Sequence, residues 1–325
     1  MYYGRAGMSV LSVVIPSYNE QLMVEKAAQK IIEILEDASI EFELIFVDDG
    51  SKDKTWNTIQ MVSEADKRIR GIHFSRNFGK ESAIIAGLAE SSGDCCVVID
   101  CDLQHPPGKI VEMYRLWEQG YEIVEGQKSS RGSESVSHSF AAETFYGLIS
   151  RATGFDMKNA SDFKLLDRKA VDVLINMHER NAFFRALSSW IGFETATVTF
   201  DVQEREAGES KWSTWSLVKY ALNNISSFSA APMQIVTILG IIMFLVSVVF
   251  GLTSLIQKIM GNAQPGFTTV ILILLFSSSI IMISLGIIGF YIARIYEEIK
   301  GRPKYIISRT CGDIKDKADG KEIIG

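Results

Sequence analysis

The chain has 325 residues, 47% of them hydrophobic, and a formal net charge of −6 at pH 7. That length allows one large domain with something smaller beside it, and the acidic balance offers no basic face for a nucleic acid. The average hides a split: from Ala221 to Ala293 the only charged residue is Lys258, so nearly all the charge lies before and after that stretch.

Met1 to Ser9 lacks an apolar run, so no signal peptide is expected. Leu11 to Ile15 is a short apolar run ended by Pro16, which predicts a first strand. A polar turn, Pro16-Ser17-Tyr18-Asn19-Glu20, follows, and Val24 to Leu35 carries apolar residues at helical spacing. Phe42 to Val47 predicts a second strand ending in Asp48-Asp49-Gly50-Ser51. Thr55 to Ala65 reads as a helix, with Ser51 or Asp53 as its N-cap, and Asp48 lies too early for that role. Ile69 to Phe74 predicts a third strand, followed by Arg76-Asn77-Phe78-Gly79-Lys80. Ala83 to Ala89 is a helix of small residues that can pack close to a sheet. Cys95 to Ile99 predicts a buried fourth strand, Gly108 to Glu118 a helix and Glu122 to Gly126 a fifth strand. Strands alternating with helices predict an α/β fold with a mostly parallel sheet. Polar motifs recur after the strands, at the edge where such sheets bind ligands.

The fourth strand breaks into Asp100-Cys101-Asp102-Leu103-Gln104-His105-Pro106-Pro107. Proline has no N–H to donate, so the ladder stops there. Side chains two apart on an extended chain share a face, which brings Asp100 and Asp102 together. Such a pair is costly to desolvate without a cation. A hard divalent cation suits it, and Gln104 adds a further oxygen. The plainer reading is a strand-end turn with solvated acids. No G-x-G-x-x-G or G-x-x-x-x-G-K-[ST] occurs, which excludes a dinucleotide or P-loop site. Instead Tyr18, Asn19 and Glu20 can hold a nucleoside by stacking and hydrogen bonding, with Asp48 and Asp49 on a base or ribose edge. Cys95, Cys96, Cys101 and Cys311 show no ligand spacing and read as reduced cysteines of a cytoplasmic domain.

Beyond Gly126 the pattern loosens. Arg131 lies in a polar stretch, Lys128 to His138, that reads as a loop. Phe140 to Thr153 reads as helical. Asp162 stands just before an apolar strand that ends at Leu166. Arg180 to Ile191 predicts a helix rich in aromatics, and Thr195 to Phe200 a strand. Arg205 and Lys211 flank Gly208 and suit a diphosphate; the alternative is a solvated loop. Ser213 to Ser229 is amphipathic, with Trp215 and Tyr220 suited to a membrane interface. Ile235 to Ile256 and Phe267 to Ala293 are each long enough to span a hydrocarbon core of about 30 Å, and the short connector makes them a hairpin. Arg294, Lys300, Arg302 and Lys304 crowd the far end, so the positive-inside rule predicts cytoplasmic termini. The tail from Cys311 is polar and reads as disordered.

Val14-Ile15-Pro16-Ser17-Tyr18-Asn19-Glu20, Val47-Asp48-Asp49-Gly50-Ser51, Arg76-Asn77-Phe78-Gly79-Lys80 and the Asp100 to Pro107 motif resemble the inverting family 2 glycosyltransferases. The nearest branch acts on polyprenyl phosphates and includes dolichol-phosphate mannose synthases and bactoprenol glucosyltransferases. Ser161-Asp162-Phe163-Lys164-Leu165-Leu166, Ser210-Lys211-Trp212 and Gly286-Ile287-Ile288-Gly289 strengthen the likeness, which runs from about Val10 to Ser308. Cys101 is unusual within the Asp-x-Asp motif but points away from the metal.

The resemblance implies an A-type glycosyltransferase (nucleotide-diphospho-sugar transferase) fold over residues 1–212. An amphipathic juxtamembrane region would occupy 213–231 and transmembrane helices 232–257 and 267–293, joined by a periplasmic loop at 258–266 and followed by a basic cytoplasmic tail at 294–325. Pro16, Tyr18, Glu20 and Asp48 would contact the base and ribose of a nucleotide sugar, with Asp49 and Lys80 also in the donor site. Asp100, Asp102 and Gln104 would hold Mg²⁺ or Mn²⁺ against the diphosphate, and Arg205 and Lys211 would bind its oxygens. Arg131 would face the phosphate of a polyprenyl phosphate acceptor, and Asp162 stands where the family places its base candidate. The acceptor oxygen is already largely anionic, because the second pKa of a phosphate monoester is near 6, so Asp162 is expected to steer more than to take a proton. The implied activity is transfer of one sugar at the cytoplasmic face of the inner membrane, from UDP-glucose or UDP-N-acetylglucosamine, with GDP-mannose as the alternative. A processive synthase is disfavoured by the absence of Gln-x-x-Arg-Trp, and a non-catalytic scaffold by the intact Asp100, Asp102 and Gln104. The hairpin and the resemblance also point to a homo-oligomer.

Overall fold

Leu11, Val13, Val14 and Ile15 are all fully buried, as befits a strand covered on both faces. They form the middle of β1 (Val10–Ser17). A computed structural model describes residues 9–129, 160–177, 184–201, 231–261 and 266–312. In chain order the next elements are α1 (Val24–Asp37), β2 (Glu41–Asp48), α2 (Thr55–Ala65), β3 (Ile69–Phe74), α3 (Lys80–Glu90), β4 (Cys95–Val98), α4 (Lys109–Glu118) and β5 (Ile123–Lys128). They are followed by β6 (Ala160–Asp167), α5 (Arg168–Ile175), α6 (Phe184–Trp190) and β7 (Thr195–Phe200), then α7 (Ala231–Ile259), α8 (Phe267–Ile299) and β8 (Ile307–Cys311).

Among the described residues the strands form one sheet in the order β7-β5-β6-β4-β1-β2-β3-β8. The pairs β1–β2, β1–β4, β2–β3 and β5–β7 are parallel. β4–β6, β5–β6 and β3–β8 are antiparallel. The α/β class and the parallel centre are therefore as the alternating pattern predicts. In α1 the buried residues Val24, Ala27, Ala28, Ile31 and Leu35 recur at helical spacing. The small residues of α3 let it lie close on the sheet: a Cβ on Gly87 would stand 2.3 Å from Val14 Cγ1.

Three expectations need correction. Asp162 lies within β6, not before it. β4 stops at Val98, so Asp100 and Asp102 are not on extended chain; Leu103, at φ +56°, turns the backbone just beyond them. The burial alternation survives, with Cys101 buried between two half-buried aspartates. The third concerns only the start of the tail, since residues 313–325 lie outside the described residues. Cys311 closes an ordered strand, β8, on the β3 edge, and nearby Tyr305 stacks on Phe74 at 5.2 Å. Edge strands are short and tolerate charge, so the five residues of β8, with Arg309 among them, leave little periodic signal.

The described residues fall into two units, the sheet with its helices (including β8) and the pair α7 and α8. Ile238–Ile259 and Phe276–Ile299 are long and apolar enough to cross a membrane, with none of their apolar stretch buried. At 1.5 Å per residue they reach about 33 and 36 Å, against about 30 Å of hydrocarbon. Phe244, Leu245, Val249, Phe276, Met282 and Leu285 are all exposed, the opposite of a soluble core helix. The predicted Phe140 to Thr153 helix and the amphipathic segment Ser213 to Ser229 lie outside the described residues.

Candidate active site

The carboxyl ends of β1 and β2 are joined by side chains. Ser51 Oγ accepts the Asn19 N–H at 2.9 Å, Asn19 Oδ1 accepts the Lys52 N–H at 3.0 Å, and Thr55 Oγ1 accepts the Glu20 N–H at 2.8 Å. Pro16 lies opposite Val47, and the ladder runs one residue past it, to Ser17 opposite Asp48. Tyr18 stands 40% exposed beside this seam, open to a flat ring. Asp48 is fully buried. As the sequence leads one to expect, it does not cap α2; its Oδ1 accepts the Ser51 N–H at 2.9 Å and closes the turn after β2. Its Oδ2 lies 2.7 Å from His73 Nδ1, and His73 leans on Trp56 at 5.2 Å. Asp53 takes the Thr55 N–H at 3.0 Å.

Asp49 turns away from this pair. Its carboxylate accepts the N–H groups of Phe78 at 2.6 Å and Gly79 at 3.0 Å, fixing the loop that leads into α3. Burial pushes its pKa up to about 6, against the pull of those two N–H groups. Gly50 allows the close approach: its φ is +66°, and a Cβ there would lie 2.4 Å from the Arg76 carbonyl carbon.

The loop delivers Lys80 to an acid just beyond β4 and another within β6. Lys80 Nζ sits 2.6 Å from Asp100 Oδ1 and 2.7 Å from Asp162 Oδ2. Burial works against the ammonium, but Asp100 and Asp162 outweigh it and hold its pKa above the ordinary lysine range. Arg185 grips Asp162 from the other side, Nε to Oδ1 at 2.6 Å and Nη2 to Oδ2 at 3.0 Å. Burial alone would raise the Asp162 pKa; Lys80 and Arg185 reverse that and hold it well below the usual carboxylate range. A carboxylate so engaged on both oxygens is a counter-ion and a poor proton acceptor. Burial and the nearby Asp162 charge push Glu81 up to about 7.

Asp102 Oδ1 accepts the Gln104 N–H at 3.1 Å, which folds the motif back on itself. His105 stacks on Phe163 at 5.2 Å. Its Nδ1 is buried with no hydrogen-bond partner, 3.9 Å from Asp100 Oδ2. Burial lowers the His105 pKa, against the pull of Asp100, so the ring is neutral at pH 7. Among the described residues no three His, Cys, Asp or Glu side chains form a ready-made metal cluster. The donors nonetheless fit a hard cation. Two half-buried carboxylates and an amide alternate along the motif at 100, 102 and 104, and a buried nitrogen without a hydrogen-bond partner, His105 Nδ1, stands 3.9 Å from Asp100 Oδ2, the oxygen opposite the one that Lys80 holds.

The structure thus joins Asp48 to the first turn and Lys80, Asp100 and Asp162 to one another. Arg131, Arg205 and Lys211 lie outside the described residues. Sequence reasoning missed His73, Glu81 and Arg185. The β2–β3 register pairs Asp48 directly with His73, a signal legible once the strands are aligned. Nothing local marks Arg185.

Residues 12–184 match the family described as glycosyl transferase family 2. An uncharacterized glycosyltransferase of Synechocystis sp. is 38% identical over 304 residues, covering 93% of this chain and 96% of that protein. A prophage bactoprenol glucosyl transferase homolog of Escherichia coli K12 is 36% identical over 302 residues, covering 92% and 99%. Among solved structures, glucosyl-3-phosphoglycerate synthase from Mycobacterium tuberculosis, in complex with Mn²⁺, UDP-glucose and phosphoglyceric acid, is similar at 21% identity and a TM-score of 0.45, over 67% of this chain and 77% of that one. The chain belongs to glycosyl transferase family 2. It is a glycosyltransferase.

Proposed function

We propose that the protein transfers a single sugar from a nucleotide sugar to undecaprenyl or another polyprenyl phosphate, with inversion, at the cytoplasmic face of the membrane. UDP-glucose or UDP-N-acetylglucosamine is the preferred donor. The observation that carries this reading is the Asp100–Lys80–Asp162 cluster at the strand ends, in a chain that also has two membrane-length helices and is similar along most of its length to a bactoprenol glucosyl transferase homolog.

Tyr18 stacks on the base, Glu20 and Asp48 bind base or ribose edges beside Pro16, and His73 holds Asp48 in place. Asp100, Asp102 and Gln104 hold Mg²⁺ or Mn²⁺, which when bound offsets the charge developing on the leaving diphosphate. Arg205 and Lys211 bind diphosphate oxygens, and Arg131 faces the lipid phosphate. A phosphate oxygen forms the bond to the anomeric carbon as the bond to the diphosphate breaks, and that electron pair leaves with the nucleoside diphosphate. A dianionic phosphate has no proton to lose in this step, so Asp162 orients Lys80 and is not consumed as a base. A screen of nucleotide sugars against a short polyprenyl phosphate tests the reading: one UDP-sugar is turned over to a lipid-linked monosaccharide. No transfer to any prenyl phosphate, from any nucleotide sugar, contradicts it.

Both termini are assigned to the cytoplasm. Lys258 is the only charged residue at the hairpin turn, whereas Arg294, Lys300, Arg302 and Lys304 follow the second span. A cysteine replacing Asn262 is expected to react with an impermeant maleimide on intact cells, and one replacing Lys317 is not. The reverse pattern inverts the topology.

A further inference from the structure

β3 ends where two parts of the site begin. Its His73 meets Asp48 at 2.7 Å, and the loop beyond Phe74, residues 75–79, leads to Lys80. Little within that loop fixes it. Gly79 has a φ of +101°, and α3 starts without a side-chain cap, so the helix start depends on outside partners. One is Asp49, which takes the Phe78 and Gly79 N–H groups. The other comes from the chain that follows the second membrane-length helix.

That chain leaves α8 at Ile299. Lys304 donates to the Met177 carbonyl at 2.5 Å, which anchors the strap just past the end of α5. Tyr305, 7% exposed, lies on Phe74 at 5.2 Å with the rings 11° from parallel. The fully buried Phe74 meets Phe78 edge-on at 5.8 Å, and the Arg76 guanidinium covers the Phe78 ring at 4.3 Å. The Ile306 carbonyl accepts the Ser75 N–H at 3.0 Å. Three aromatic rings and one backbone bond therefore join the strap to the loop.

β3 is shaped to receive this segment. Gly71 lies opposite Cys311, and a Cβ at 71 would stand 2.6 Å from the Cys311 Sγ, so the glycine makes room for the cysteine. The register slips between His73 and Phe74, an irregularity of the kind that re-aims side chains beside a site. Covering a sheet edge needs only the ladder. Tyr305 precedes β8, and its ring lies on Phe74 instead of in water.

We propose that Tyr305 is a positioning residue for glycosyl transfer: through Phe74 and Phe78 it fixes residues 75–79, and with them the seating of Lys80 between Asp100 and Asp162. This rests on the reading that places Lys80 in the donor site. Lys80 Nζ meets both carboxylates within 2.7 Å, and a misplacement of about 1 Å in such a site is enough to cost roughly 100-fold in rate. The contact is ring on ring, so the flat face matters and the hydroxyl does not.

The test uses the full-length enzyme in lipid nanodiscs, with a UDP-sugar, Mn²⁺ and undecaprenyl phosphate. Tyr305→Leu keeps an apolar side chain and removes the ring. It is expected to lower kcat roughly 10–100-fold while the KM for the lipid phosphate stays within about twofold. Tyr305→Phe keeps the face and should match the wild type. A readout independent of turnover is the rate at which Lys80 is dimethylated by formaldehyde and borane, followed by mass spectrometry. Asp100 and Asp162 hold the Lys80 ammonium protonated, which slows that reaction. Tyr305→Leu should speed it at Lys80 and leave the exposed Lys30 unchanged. Wild-type kcat together with wild-type labelling of Lys80 in Tyr305→Leu overturns the proposal, whatever the melting temperature, and makes the strap a cover for the sheet edge. An equal loss in Tyr305→Phe also overturns it, because the ring face is intact there. If Tyr305→Leu does not fold, hydrogen exchange in the wild type decides: the Phe78 and Gly79 amides should open together with those of β8, at the same rate and with the same denaturant dependence. Loop amides that exchange far ahead of β8 overturn the proposal. A wild type that glycosylates no prenyl phosphate overturns the functional reading, and labelling and exchange, which need no substrate, still decide the strap.

Discussion

In Asp102→Asn, turnover falls roughly 10²–10³-fold, the range seen when one charge-stabilising group is removed from a preorganised site, while folding and membrane insertion stay as in the wild type. The substitution removes charge and little else. Asp102 is half-buried, so no core packing is lost. Its Oδ1 accepts the Gln104 N–H at 3.1 Å, and an asparagine oxygen keeps that bond. What disappears is one of the two carboxylates proposed as ligands for a hard cation. Initial rates with saturating Mn²⁺, set beside a thermal unfolding curve, check this. Near-wild-type turnover in the variant, or in wild-type enzyme stripped with EDTA, removes the metal from the account.

Asp162→Asn should cost about 10²-fold in turnover, comparable to losing a group that orients a charged partner, and its pH profile should show why. If Asp162 were the base, its ionisation would set the acid limb of kcat/KM. Lys80 and Arg185 hold its pKa far below that region, so under the proposed function the limb belongs to the acceptor. As pH rises through about 6 the phosphate monoester loses its second proton and the rate climbs to a plateau. The variant should show the same limb at a lower plateau. A limb that vanishes in Asp162→Asn makes this residue the base. Stability moves with the same sign logic. A carboxylate with a depressed folded pKa stabilises the fold above its unfolded value of 3.8, and that contribution is lost as pH falls below it. Melting temperatures of the wild type should therefore drop more steeply below about pH 4 than those of the variant.

What the sequence could show followed from how local each signal is. β3, α2 and β7 lie where hydrophobic runs bounded by breakers put them, because burial on a sheet face imposes a period on consecutive residues. Asp100 and Asp102 were legible for a related reason: an apolar strand that breaks into acids and prolines changes environment within a few residues. The contacts around them were not. His73 meets Asp48 only because β2 and β3 pair in register, and Arg185 meets Asp162 across 23 positions of chain, through an aromatic helix whose pattern reads simply as core. Asp49 was read as a ligand for base or ribose, and the structure turns it onto the Phe78 and Gly79 amides, a role that composition cannot distinguish from binding. β8 escaped because a short charged edge strand after an apolar span looks like tail.

The account is tested most directly by the product. Wild-type enzyme in nanodiscs, given an α-linked UDP-sugar, Mn²⁺ and undecaprenyl phosphate, is predicted to make one compound, a lipid phosphodiester bearing a single β-linked sugar, read from the anomeric proton coupling and the phosphorus shift by NMR. A product with retained α configuration, a chain of several sugars, or free sugar released to water with the lipid phosphate untouched would contradict it.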